Sequence, residues 1–61
     1  MMIQLYIEIC GELIYIGEDY LIENIWRMVG YEENALKMQY GLDVLHWMAF
    51  RQGQLIYENI M

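Results

Sequence analysis

Residues 3 to 16, IQLYIEICGELIYI, alternate between aliphatic and mixed side chains on both sides of a single glycine. Strand side chains alternate faces with period two, so such a run separates into an apolar face and a mixed one. Gly11-Glu12 at the centre of a two-residue loop predicts a hairpin, with glycine first as in a type II′ turn. That register sets Cys10 opposite Leu13, Ile9 opposite Ile14, Glu8 opposite Tyr15 and Ile7 opposite Ile16. Ile3, Leu5, Ile7, Ile9, Ile14 and Ile16 then share one face, and Gln4, Tyr6, Glu8, Cys10, Leu13 and Tyr15 the other. A one-residue slip would mix the two sets. The expected strands cover 2–10 and 12–17.

The next segment, EDYLIENIWRMVG, predicts a helix over about 19–29. Asp19 is a good N-cap, and Glu18 and Asp19 suit the positive end of a helix. Leu21, Ile22, Ile25, Trp26 and Val29 recur at helical spacing, and Gly30 fits a left-handed C-cap. This stripe is expected to pack on the isoleucine face of the hairpin. YEENALKMQYG reads as a shorter helix over 32–40, with Glu33 and Lys37 four apart and Gly41 closing it. Its apolar side is Ala35, Leu36, Met38 and Tyr40.

Residues 43–52 fit a helix or a strand. The strand reading is preferred, because a helix here would be apolar almost all round and 54–60 alternate like a returning strand. The predicted hairpin, 43–51 with 54–60, turns through Gln52-Gly53 and pairs Phe50 with Leu55, Met48 with Tyr57 and Ala49 with Ile56. The expected fold class is therefore α+β, a small two-layer sandwich with an antiparallel sheet and both helices on one face. Residues 1–61 make a single small acidic domain.

Composition narrows the function. At 61 residues, a chain buries only ~60 % of its unfolded surface, so a partner chain is an early possibility. Hydrophobic residues make up 59 %, more than so small an interior can hide. The formal charge is −6, with Arg27, Lys37 and Arg51 the whole basic supply. Direct DNA or RNA binding needs many more cations, and an anionic membrane surface is disfavoured for the same reason. A basic protein surface is favoured. No apolar run reaches the ~18 residues of a membrane span. Glu8 interrupts the N-terminal stretch, which lacks a basic n-region, so a cytoplasmic setting is expected, the host cytoplasm if the protein is phage-encoded.

Catalytic chemistry finds little to work with. There is no serine and no threonine, and Cys10 has no cationic neighbour in sequence. His46 could be oriented by Asp43 if 43–46 formed a helical turn, but no nucleophile accompanies it. Otherwise His46 belongs at the core edge or in a binding surface, beside Trp47. One cysteine and one histidine do not make a structural zinc site, and no cofactor motif is present. No enzymatic activity, metal or cofactor is expected.

What remains is a binding surface. Tyr6, Glu8 and Tyr15 fall on the mixed sheet face, while Glu18, Asp19, Glu23, Tyr31, Glu32 and Glu33 fall around the helices. Tyrosines anchor interfaces, and carboxylates steer a basic partner. In size, acidity and greasiness the chain resembles, in general profile, phage-encoded anti-defence proteins, including anti-CRISPR and antirestriction proteins. That profile implies a non-catalytic inhibitor that covers a basic, nucleic-acid-binding surface of a host protein, as a DNA mimic would. The alternative is a homo-oligomeric structural or accessory subunit, or an antitoxin-like regulator, burying its apolar face on itself.

Overall fold

The computed structural model describes all 61 residues, in the order β1 (Ile3–Ile9), β2 (Glu12–Asp19), α1 (Ile22–Tyr40), β3 (His46–Arg51) and β4 (Gln54–Ile60). The strands form one sheet in the order β2-β1-β3-β4, every neighbouring pair antiparallel. Both predicted hairpins are present, and the α+β class stands.

The first hairpin turns one residue earlier than expected. Its loop is Cys10-Gly11, both with positive φ (53° and 84°), and it pairs Ile9 with Glu12, Glu8 with Leu13, Ile7 with Ile14 and Tyr6 with Tyr15. Two left-handed residues make a type I′ turn, which puts glycine second rather than first. The Glu8 carboxylate accepts the Gly11 N–H at 2.6 Å and holds the loop closed. Each partner moves by two residues, so parity is kept and the predicted faces survive. Beyond Tyr6–Tyr15 the register shifts, and Leu5 meets Gly17, leaving Ile16 as the bulged residue. Strand β2 then runs on to Asp19 rather than stopping at 17.

The second hairpin turns at Gln52-Gly53, as predicted, again with both residues at positive φ (53° and 73°). Phe50 faces Leu55, but a bulge at Ile56 shifts the rest, so Ala49 meets Tyr57 and Met48 meets Glu58. The expected Ala49–Ile56 and Met48–Tyr57 pairs do not form. Strand β3 begins at His46, although Leu45 and Met61 still exchange two backbone hydrogen bonds.

One helix replaces the two expected. It runs through Gly30 without a break and ends at Gly41, whose left-handed backbone lets Leu42 N–H donate to the Lys37 carbonyl at 2.9 Å. A mid-helix glycine costs ~1 kcal/mol against alanine, and burial of Ile25, Val29 and Leu36 along one stripe outweighs it. Asp19 is not the N-cap; that position is Leu21. Asp19 ends β2, and its carboxylate accepts Leu21 N–H at 2.9 Å and Asn24 Nδ2 at 3.0 Å, steering the chain into the helix.

The helix lies on the isoleucine face. Ile3, Leu5, Ile7, Ile25, Val29, Leu36, Leu45, Trp47 and Ala49 form the core, and no polar or charged residue is buried with them. The stripe is narrower than predicted, since Leu21 and Trp26 are largely exposed; Trp26 caps the sheet by setting its ring edge-on to Tyr57, 4.3 Å between centroids. Of the second predicted helix's apolar side only Leu36 is buried, and Met38 is 83 % exposed.

Two substitutions test this packing by urea denaturation. Trp47→Ala should cost about 3–5 kcal/mol, comparable to the whole stability of a core this small, and leave the chain mostly unfolded. Gly30→Ala should stabilise by roughly 1 kcal/mol, because nothing lies within 4 Å of the added methyl and the backbone is already helical. A loss of stability in Gly30→Ala would contradict the continuous helix.

Candidate functional site

With the helix on one side, the opposite face of the sheet is uncovered. The registers arrange its side chains in three rows across the strands. Leu13, Glu8, His46 and Ile60 form the first; Tyr15, Tyr6, Met48 and Glu58 the second; Glu18, Gln4, Phe50 and Leu55 the third. Leu13, Tyr15, Leu55 and Ile60 along the two outer strands are exposed, and the residues between them are mostly half-buried. Tyr6 sits at the centre, with its ring edge-to-face to Tyr15 at 5.8 Å and to Phe50 at 5.6 Å. Such T-shaped aromatic pairs favour one mutual orientation of the rings and link β2, β1 and β3 across the face.

A charged clamp crosses the patch. His46 Nδ1 lies 3.0 Å from Glu8 Oε1, and Nε2 lies 2.5 Å from Glu58 Oε2. Both ring nitrogens face carboxylates, which accept but do not donate, so the arrangement fits the imidazolium. The hydrogen bonds from Glu8 and Glu58 raise the His46 pKa above its ordinary value. Glu8 is lowered in turn, first by His46 and then by the Gly11 N–H. At the other corner, Tyr15 Oη donates to Glu18 Oε1 at 2.7 Å, and this bond raises the tyrosine's pKa.

The sequence-predicted site residues divide into two groups. Tyr6, Glu8, Tyr15 and Glu18 come together on the open face. Glu23, Tyr31, Glu32 and Glu33 ride on the helix, on the far side of the molecule, and Asp19 is engaged in the turn into it. The helix layer is not a uniform acidic face. Glu33 pairs with Lys37 at 2.9 Å, and Arg27 Nη1 donates to Asn24 Oδ1 at 2.7 Å among the acids. Tyr31, 84 % exposed, borders only a shallow depression of about 350 Å³ with Arg27 and Gly30.

The sequence allows His46 a place in a binding surface, but it gives no sign of the rest of the second hairpin's contribution: Met48, Phe50, Leu55, Glu58 and Ile60. The predicted pairing of Phe50 with Leu55 put those two on a common face, but nothing in the sequence placed β3 beside β1. The helical turn over 43–46 that would have let Asp43 orient His46 is absent; the preferred strand is present but begins at His46 rather than at 43. His46 also lies on the opposite face from Trp47, so the two are sequence neighbours only. Cys10 is exposed in the hairpin loop rather than at a strand end. No three His, Cys, Asp or Glu side chains converge to hold a metal ion. No helix is long and apolar enough to cross a membrane.

The clamp makes stability pH-dependent in a defined direction. His46 is raised on folding, so its contribution is complete below its ordinary value of 6.5 and is lost as pH rises through the folded value. Glu8 is lowered, so its contribution is complete above its ordinary value of 4.5 and is lost as pH falls through the folded value. Denaturation midpoints should therefore be highest between these limits and decline on both sides. His46→Gln should flatten the alkaline decline, and an unchanged alkaline slope in that variant would show that the clamp carries no charge linkage.

No family model matches this chain, and neither a curated protein nor a solved structure matches it.

Proposed function

We propose that the protein is a non-catalytic binding module that uses the open face of its sheet to occupy a basic, nucleic-acid-binding surface of another protein. One observation carries this reading: an aromatic and aliphatic patch shares its face with Glu8, Glu18 and Glu58. Aromatic anchors provide binding energy once water is excluded, and carboxylates around them steer and select a basic partner. The one depression on the molecule lies on the helix, beside Arg27, Gly30 and Tyr31, so the open face has no pocket for a small substrate and suits a broad protein surface. His46 has both nitrogens directed at carboxylates, which leaves no free lone pair for a general base.

Blockade of such a partner is the role we assign, as in the phage-encoded anti-defence proteins whose profile the composition resembles. A cytoplasmic setting, in a host cell if the gene is carried by a phage or other mobile element, belongs to the same proposal. The exposed thiol of Cys10 is compatible with that reducing setting.

The test compares the two sides of the molecule. Immobilised protein should retain a basic nucleic-acid-binding protein in a salt-sensitive manner, and the retained protein should lose its affinity for DNA or RNA. Tyr15→Ala and Glu18→Lys should each weaken that interaction, Tyr15→Ala by roughly tenfold or more if it is an anchor. Glu23→Lys and Glu32→Lys, on the helix, should leave it unchanged. Loss confined to the helix variants would place the site on the wrong face, and a retained protein that still binds nucleic acid would sink the inhibitory role.

A further inference from the structure

The two outer strands of the sheet differ. An unpaired edge offers a row of backbone N–H and C=O groups to any other strand, and proteins guard such edges with charge, bulges or proline. The β2 edge carries Glu12, Glu18 and Asp19, with a bulge at Ile16 between them. The β4 edge carries one charge, Glu58, and that carboxylate is drawn back over the sheet onto His46 at 2.5 Å. Its only irregularity is the bulge at Ile56, beyond which residues 57–60 pair regularly with β3 and Met61 continues the ladder to Leu45. There is no proline or lysine on the strand, and Ile60 is 65 % exposed.

The hydrogen-bond phase of this edge follows from one contact. Leu45 and Met61 exchange both backbone bonds, at 3.0 and 3.1 Å. Bonded and non-bonded pairs alternate in an antiparallel ladder, so Asn59 and Tyr57 bond inward to β3. Glu58 and Ile60 then direct their N–H and C=O away from the sheet.

We propose that β4 is a self-association edge, at which two copies join antiparallel to make a continuous eight-stranded sheet. Two registers bring the free groups of Glu58 into the seam. One sets Glu58 against Glu58 of the second copy, and directly opposed like charges are destabilising. The other centres the two-fold axis on Asn59, bonds Glu58 to Ile60 of the second copy in both directions, and sets Tyr57 beside Met61 of that copy. The structure favours the second. A closed two-fold pairing of this kind is isologous and consumes the edge, so it stops at the dimer. It leaves the open face uncovered and places two copies of it side by side, and it stands whether or not that face binds a basic protein.

Sedimentation equilibrium of the full chain across the micromolar range should show a mass rising from 7.4 kDa toward about twice that value. Ile60→Pro removes an outward N–H and no ladder bond to β3, so it should raise the dimer Kd by roughly tenfold or more while circular dichroism stays unchanged. Where that variant fails to fold, cross-linking decides. In a Cys10→Ser background, Asn59→Cys should give a disulfide-linked dimer on mild oxidation, whereas Gln54→Cys, far from the axis, should not. A protein that stays monomeric at every concentration overturns the proposal. So does a dimer indifferent to Ile60→Pro, or one that cross-links through Gln54→Cys and not Asn59→Cys.

Discussion

Strand β1 lies between β2 and β3 and is antiparallel to both, so β2 and β3 run parallel to each other with β1 between them. Parallel strands cannot be joined by a tight turn; the chain must travel back along the whole sheet. Helix α1 makes that journey. Its 19 residues span ~28 Å at helical rise, comparable to the ~23 Å of a seven-residue strand. The connection therefore dictates one long helix on one face, and a chain of 61 residues has nothing left for the other. The core, the exposed patch and the asymmetry of the molecule all derive from that crossover.

The same constraint explains why so hydrophobic a chain buries so few residues. Nine side chains are inside, all apolar, concentrated on β1, β3 and the inner stripe of the helix. Trp47 is the largest of them, and its indole N–H finds no acceptor, so its bulk rather than a hydrogen bond holds the site. The remaining aromatic and aliphatic residues are divided between the open face with its two outer strands and the outer side and ends of the helix, where Leu21, Trp26, Tyr31 and Met38 are exposed. On the open face, cross-strand ring contacts and the Glu8–His46–Glu58 clamp order the surface without covering it. The acidic excess is distributed to match: the helix carries Lys37 and Arg27 among its acids, whereas the carboxylates of the open face have only His46 to balance them.

Much of this was legible in the residues. Alternation over Ile3–Ile16 assigned the two faces correctly even with the turn misplaced, because moving the loop from Gly11-Glu12 to Cys10-Gly11 changes each partner by two and leaves parity intact. Gln52-Gly53 was read correctly, and the same rule, glycine second in a type I′ loop, would have corrected the first turn. The bulge at Ile56 has no glycine or proline beside it, so its one-residue shift was invisible, whereas Gly17, inside β2 next to the bulged Ile16, was the one local sign of the first. Gly30 misled in the other direction: a glycine is a good helix stop only where the apolar stripe also ends, and here it resumes at Leu36. The open face was half legible. Tyr6, Glu8 and Tyr15 follow from local alternation, but His46 and Glu58 join them only through the β1–β3 pairing, which no local pattern encodes.

That pairing also has a kinetic meaning. Each hairpin closes over a two-residue loop, an event of ~1–10 μs for such elements. The seam between them brings together groups as far apart in sequence as Glu8 and His46, separated by 38 positions. Closing so long a loop costs entropy before its contacts return any, and such non-local pairings slow folding. A preformed helix shortens the search, since it replaces a flexible tether with a rod about as long as the strands it must connect. The continuity of α1 through Gly30 thus bears on how quickly the two halves of the sheet find each other, as well as on what they form.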